Sequence, residues 1–542
     1  MLPAYSELSE HVGNLPSNML NTDAAGRYIS LDSEINHNSS KGFVTCRQIR
    51  TRRSRVPSDR RQDVTVKIGS DLRMIESRIT SVTYRNSVYM IVILLVVASV
   101  FSLLSPTFEQ MIGVLVFAST IAGTLLFWRF RLAFAIGGVG AILLLGLVHL
   151  DVMIRSMKME VILFLVSMMI MIESLERSGF LKVAIGTLMG KVHGDPKRLM
   201  IALMCSGAVL AALMDEVTAM LLLGTLILDL SRVLGINAKP YLLSAVMAVN
   251  IGSAATVLGN PIGVLIAFEA ALSFEEFLVW ATPVAFVALL VVIPMVLMWY
   301  RKALDNDREL FAASINRVGS IIRSGNFGRQ DWITASIFLA VISLIVVQSR
   351  LESLLGLPKN TVLVAIPMLG AAFALLVKHE EAKELVESGV DWWTLLFFVF
   401  LFGAAATLEH TGTTLLVAEQ ILQATGGDYF LLSSVLTWPV MLLSGTIDNV
   451  PLIAGLIPVI FRLGAAGIDV YPLWWTILFA GCFGGNLTMV GSTANIVAIG
   501  LLEKREHTSL SLREWIGLGL FVSVITVLLG QVAMLLRYPY PV

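Results

Sequence analysis

Two acids interrupt apolar runs in which an acid is costly. Asp215 stands in Met214-Asp215-Glu216-Val217-Thr218-Ala219, and Asp448 in Ser444-Gly445-Thr446-Ile447-Asp448-Asn449-Val450-Pro451. A carboxylate in a lipid-embedded segment binds a cation, carries a proton, or caps a helix inside a protein cavity. Each acid is followed by a second polar interruption. The first is Thr256-Val257-Leu258-Gly259-Asn260-Pro261, and the second runs from Gly484-Gly485-Asn486 through Thr488 to Gly491-Ser492-Thr493. Asn is a good N-cap and Pro suits the first position of a helix, so Asn260-Pro261 reads as a new helix start inside a broken one. Ser492 fills the capping place in the second copy. Backbone N–H groups at such starts carry partial positive charge, and unwound carbonyls on the other arm can hold a cation. A site of this build can serve ions of either sign.

The candidate ion- or proton-binding residues follow from this pattern. Asp215 and Asp448 come first, with Na⁺ as the metal they would hold and Na⁺ or H⁺ as coupling ion; no other cofactor is expected. Glu216 lies beside Asp215 and would face the same cavity. Thr218, Asn250, Thr256, Asn449, Asn486, Thr488, Thr493 and Asn495 offer neutral oxygens. Each would as readily bond a neighbouring helix. Glu173 reads as a span-boundary residue near Glu176 and Arg177.

Such residues need a membrane to make sense, and composition supplies it. Of 542 residues, 56% are hydrophobic and 14% charged, against about a quarter charged in ordinary soluble domains. The chain therefore reads as an all-α polytopic membrane protein whose main partner is the bilayer. Zero formal net charge gives nucleic acid no hold. Cys46, Cys205 and Cys482 make no disulfide framework and no zinc or haem spacing. The last two read as packing residues.

Residues 1–86 form a basic tail without a long apolar run, expected to be disordered and cytoplasmic, with a short surface helix at 68–82. Repeat 1 covers 87–300, with an interrupted block at 197–233 and a broken helix at 241–268. A cytoplasmic linker spans 301–331. Repeat 2 covers 332–542, with an interrupted block at 428–461 and a broken helix at 472–500. Loop charge orients the spans. Arg129 and Arg131 place one loop inside. Lys191, Lys197, Arg198, Arg232 and Lys239 flank the first block, so it enters and returns on the cytoplasmic side. The second block is preceded by a loop, 409–428, without Lys or Arg, and returns on the outer side. The expectation is about 11 transmembrane helices plus two re-entrant hairpins. An odd number of crossings per half inverts the second copy.

Spacing supports the duplication. Asp215 to Asp448 is 448 − 215 = 233 residues, and Gly179 of Leu175-Glu176-Arg177-Ser178-Gly179 to Gly412 of Leu408-Glu409-His410-Thr411-Gly412 is also 412 − 179 = 233. An inverted repeat puts its site near the bilayer midplane between the copies.

The motifs Asp215-Glu216-Val217-Thr218-Ala219-Met220-Leu221, Asn250-Ile251-Gly252, Thr256 to Pro261 and Ser444 to Pro451 resemble the ion transporter superfamily. The resemblance is to the branch that holds the arsenite permease, D-type sodium/proton antiporters and P-protein permeases, with a citrate transporter-like domain. It implies a scaffold domain, a moving transport domain, elevator-type alternating access and often a homodimer. It also implies that hairpin tips and broken helices line the site. Two positions depart from the family pattern. Gly259-Asn260-Pro261-Ile262-Gly263 replaces Gly-Asp-Pro-Pro-Asn, and Asp215-Glu216 replaces Asp-Asn. The acid lost at one element is gained at its neighbour, which suggests that the acidic function moved to Glu216.

The expected function is secondary active transport of a small inorganic ion, coupled to protons or sodium, in a multi-pass protein of the plasma membrane. Cation/proton antiport or arsenite efflux leads. Sodium-coupled di- or tricarboxylate transport ranks behind, because no arginine stands out to hold a carboxylate. An intramembrane aspartyl protease is the reading from another class. It would need Asp215 and Asp448 as a hydrogen-bonded dyad, and Gly445-Thr446-Ile447 is not the motif expected before its aspartate. An enzyme is therefore not expected, and no catalytic residue is assigned.

Overall fold

The computed structural model describes residues 84–181, 183, 195–310, 328–506 and 508–538. The basic tail, the helix expected at 68–82 and most of the linker lie outside the described residues. The chain divides into Met1–Val92, described only for the first turns of one helix, and Ile93–Val542. Every described element is a helix.

That first helix, α1, is Tyr84–Ser102. The first half continues with α2 (Phe108–Leu126), α3 (Arg131–Leu144), α4 (Leu150–Arg155), α5 (Met159–Arg177), α6 (Pro196–Leu213), α7 (Glu216–Leu234), α8 (Ala238–Ser253), α9 (Pro261–Glu269) and α10 (Phe274–Trp299). The second half holds α11 (Arg329–Val346), α12 (Gln348–Leu355), α13 (Thr361–Val377), α14 (Ala382–Glu387), α15 (Trp392–His410) and α16 (Thr413–Thr425). It ends with α17 (Tyr429–Ser444), α18 (Asn449–Ala465), α19 (Tyr471–Gly484), α20 (Thr493–Glu506) and α21 (Leu512–Arg537). The starts of α5 and α15 differ by 392 − 159 = 233, those of α8 and α19 by 471 − 238 = 233, and those of α9 and α20 by 493 − 261 = 232.

Packing repeats with the sequence. In the first half α6 lies against α8, and in the second α17 lies against α19. Gly252 makes the first approach close: a Cβ there would fall 2.2 Å from the Ala208 carbonyl oxygen. Gly484 does the same in the second, 2.8 Å from the Met441 oxygen. The two contacts sit at matching offsets, 484 − 252 = 232 and 441 − 208 = 233. Gly179 and Gly412, at φ 72° and 75°, take the left-handed turn at matching places after α5 and α15.

Besides three shorter apolar helices, α13, α17 and α18, eight described helices are long and apolar enough to cross a membrane. Two of them, α6 and α7, are the arms of the first interrupted block, and the second block divides likewise into α17 and α18. Helix α3 stops at Leu144, and Gly146 takes φ 68° and turns the chain into short α4. The loop expected at 409–428 contains α16, whose Thr, Glu and Gln residues hid a helix of 13 residues from a search for apolar runs. Lys158 and Glu269 form an ion pair at 2.6 Å.

Gly252→Ala and Gly484→Ala should each cost about 1–3 kcal/mol through forced backbone separation. Thermal unfolding in detergent should show both losses. Gly137→Ala, inside α3 and with no atom within 4 Å of the new methyl, should not lower the transition.

Candidate functional site

The tip of each hairpin is an acid capping the returning helix. The Asp215 carboxylate accepts from Val217 N and Thr218 N, both at 3.0 Å, and so caps α7. Asp448 caps α18 through Val450 N at 3.5 Å. Each tip is tied to its own broken helix by a threonine. Thr256 donates its hydroxyl to Ala212 O at 2.5 Å and accepts from Leu258 N. Thr488 donates to Gly445 O at 2.5 Å and accepts from Val490 N. Both hydroxyls are thus engaged in holding tip to break.

The breaks start two more helices. Asn260 caps α9 by accepting from Gly263 N at 2.9 Å, with Pro261 in the first position. Ser492 caps α20 by accepting from Ala494 N at 3.1 Å. Each cap then reaches into the other half. The Asn260 amide donates to Cys482 Sγ at 2.9 Å, and the Ser492 hydroxyl lies 3.0 Å from Asn250 Oδ1 and 2.8 Å from Glu216 Oε1. Cys482 and Asn250 are themselves counterparts, since 482 − 250 = 232. The pairing of caps across the halves therefore repeats the duplication. Cys482 is part of the site and not a bystander in the packing.

Three fully buried asparagines complete the joint. Asn495 donates to Gly485 O and Thr488 O, both at 2.8 Å, which turns its own oxygen toward Asn250. The Asn250 amide donates to that oxygen at 2.9 Å and to Asn486 Oδ1 at 2.8 Å. These bonds bind the two broken helices to each other, in an interior where unpaired amides are costly. Helices α7 and α20 run side by side in the same direction. Glu216 and Ser492 meet at their starts, while Asp229–Arg505 at 3.2 Å and Arg232–Glu506 at 2.9 Å close their ends. Helices α9 and α18 pack as the matching pair. Each of these pairs brings two capped helix starts, with their positive dipole ends, to the joint between the halves.

Arg131 is not the loop base that loop charge suggests. It is instead the first residue of α3, 5% exposed. Its Nη1 lies 4.0 Å from Asp448, its Nη2 donates to Thr394, and its guanidinium rests 4.6 Å from the Trp128 ring and 5.2 Å from Phe397. The available cue was the run Phe127-Trp128-Arg129-Phe130-Arg131, which sets two arginines among aromatic rings, since Arg stacks on such faces. The site thus has the arginine that its sequence did not reveal.

Asp215, Glu216, Asn250, Asn260, Asp448, Asn486, Ser492 and Asn495 lie at the tips, the breaks or the asparagine joint. Thr218 offers its backbone N–H to Asp215, and Asn449 and Thr493 are the first residues of α18 and α20. Among the described residues no hydrogen bond joins Asp215 to Asp448, so the dyad of an aspartyl protease is not formed. Glu173 pairs with Arg177 at 2.7 Å.

A family profile described as "Citrate transporter" matches residues 116–480. The chain belongs to the citrate transporter family. This family falls within the ion transporter superfamily. A 46 kDa membrane protein of Mycobacterium leprae is 35% identical over 386 residues, covering 70% of this chain and 86% of that protein. An uncharacterized transporter of Mycobacterium tuberculosis is 31% identical over 384 residues, with the same coverage. The human P protein is 26% identical over 482 residues, 75% of this chain and 57% of its own length. The YdaH transporter of Alcanivorax borkumensis aligns with a TM-score of 0.49 at 16% identity, over 70% of this chain and 85% of that one. The chain is a multi-pass integral membrane protein of a transporter family.

In this member of the citrate transporter family, Arg131 and Asp448 are each 6% exposed at the side chain. Removing one partner strands the other's charge in the interior. Arg131→Ala should cost about 3–5 kcal/mol in detergent unfolding. Arg131→Ala combined with Asp448→Asn should recover part of that loss. Strictly additive losses would show that the two charges do not interact.

Proposed function

We propose that the chain is a proton-coupled secondary transporter that exchanges a small cation for protons. The observation that carries this is Glu216. It is 4% exposed, it stands at the joint of the two halves, and no ion pair for it is found among the described residues. A buried acid without a basic partner is a proton carrier or a cation ligand. The hairpins α6–α7 and α17–α18 act as re-entrant elements. Together with the broken helices α8–α9 and α19–α20 they form the body that alternates between the two sides. The N-terminus is cytoplasmic in this reading.

A second reading, transport of a di- or tricarboxylate, draws on Arg131 and on the description of the family. Asp448 stands against it, because it sits beside that arginine and would repel a carboxylate. Arsenite efflux draws on the Cys482 thiol. The other described cysteine, Cys205, lies in the body of α6.

Purified protein in sealed vesicles, under an imposed pH gradient, should accumulate Na⁺ against its concentration in exchange for protons. Citrate uptake driven by Na⁺ without such exchange would replace this reading with the second. Arsenite movement alone would replace it with the third.

A further inference from the structure

Beside the second hairpin tip lies a slot of about 310 Å³. One wall is a stripe on α2, namely Phe117, Ala118, Ile121, Ala122 and Leu125, whose spacing puts them on one helix face. Another wall is the start of α18, where Pro451, Leu452, Gly455 and Leu456 share a face in the same way. Ile93 and Val97 of α1, Leu408 of α15 and the tip residue Ile447 complete the lining. No side chain in it carries a hydrogen-bonding group. All of these residues belong to the larger unit, Ile93–Val542.

The chemistry of the walls selects the occupant. Water would find no polar partner in such a space, so the slot takes something apolar. Its length sets the shape. Phe117 to Leu125 is 125 − 117 = 8 residues, about 12 Å along a helix axis. Helices α1 and α2 are long and apolar enough to cross a membrane, so the slot runs in the direction that acyl chains take in a bilayer. Beside Ile93 and Val97, residues Leu95, Val96 and Val100 of α1 are exposed. In a multi-pass membrane protein that surface meets hydrocarbon, and the slot continues it inward. A helix of a second copy, about 10–12 Å across, would take up roughly 900 Å³ over the same length, about three times the slot. One extended hydrocarbon chain fits where a helix does not.

We propose that this slot binds one acyl chain of a bilayer phospholipid, lodged between α2 and the second hairpin. The head group stays at the membrane surface, because the lining offers it no partner. The chain then backs Ile447, whose neighbour Asp448 caps α18 and meets Arg131. The bilayer thereby touches the second tip itself, and does so whichever ion is carried. Gly455 keeps the slot wide. The atoms nearest to a Cβ there are side chains of the lining, Phe117 at 3.3 Å and Leu408 at 4.0 Å. A leucine at that position therefore grows into the slot.

Photolabelling tests this on the purified full chain in vesicles of phosphatidylethanolamine and phosphatidylglycerol. A small share of the phosphatidylethanolamine carries a diazirine in the middle of one acyl chain, and mass spectrometry locates the labelled peptides after illumination. Peptides holding Phe117–Leu125 and Pro451–Leu456 should be labelled several-fold more heavily than the α10 peptide with Phe286 and Leu290, which are simply exposed. Gly455→Leu and Ala118→Leu fill the slot from different walls. Each should bring the slot labels down to the α10 level and leave the α10 labels unchanged, with circular dichroism confirming that the helices are kept. Wild-type slot labels no heavier than those on α10 overturn the proposal without any variant. So do slot labels that both folded variants retain. A free fatty acid with the same diazirine that labels the slot where the phospholipid does not would overturn the assignment to a phospholipid chain.

Discussion

Helix ends buried inside a membrane protein set the terms for this molecule. A broken helix exposes N–H groups that neither lipid nor a neighbouring turn can satisfy, so the protein must satisfy them itself. Four side chains do this near the joint: Asp215, Asn260, Asp448 and Ser492. A cap of this kind contributes about 0.5–2 kcal/mol in ordinary proteins. Here three of the caps, Asn260, Asp448 and Ser492, also reach the opposite half, so the groups that end the helices also join the repeats.

The two-fold pattern explains why so few residue types suffice. Thr256 and Thr488 tie tip to break, Gly252 and Gly484 let the arms touch, and Asn260 and Ser492 start the returning helices. The halves then differ where chemistry needs them to differ. Glu216 stands where the second half has Asn449, and Asn250 stands where it has Cys482. An acid and an amide therefore face Ser492 on one side, while a thiol faces Asn260 on the other. The side chains at the joint are asymmetric within a symmetric frame.

Much of this frame was legible in the sequence. Acids within apolar runs, Gly and Pro at equal offsets and the Asn-Pro step each state a physical requirement that only a few arrangements meet. The substitution of Glu for Asn after Asp215 singles out Glu216, and the structure sets that residue against Ser492 of the other half. Arg131 was hidden because a base near a helix end reads equally as a loop charge and as a buried partner, and the decision depends on Asp448, more than three hundred residues away. Cys482 was hidden because nothing local separates a thiol in a core from one facing an amide. The short helix α16 escaped because its 13 residues carry no apolar run, although Gly412 and Gly426 bound it at either end.

The interlock of the two repeats can be read directly. Asn260→Cys would place a second thiol beside Cys482, the native cysteine of the second half, while Cys46 and Cys205 belong to the first. With a protease site inserted between Leu310 and Gly328, oxidation before cleavage should leave the two halves of Asn260→Cys joined on a non-reducing gel. Wild type, and Asn260→Cys with Cys482→Ser, should separate. Halves that separate in every case would contradict a common site built from both breaks.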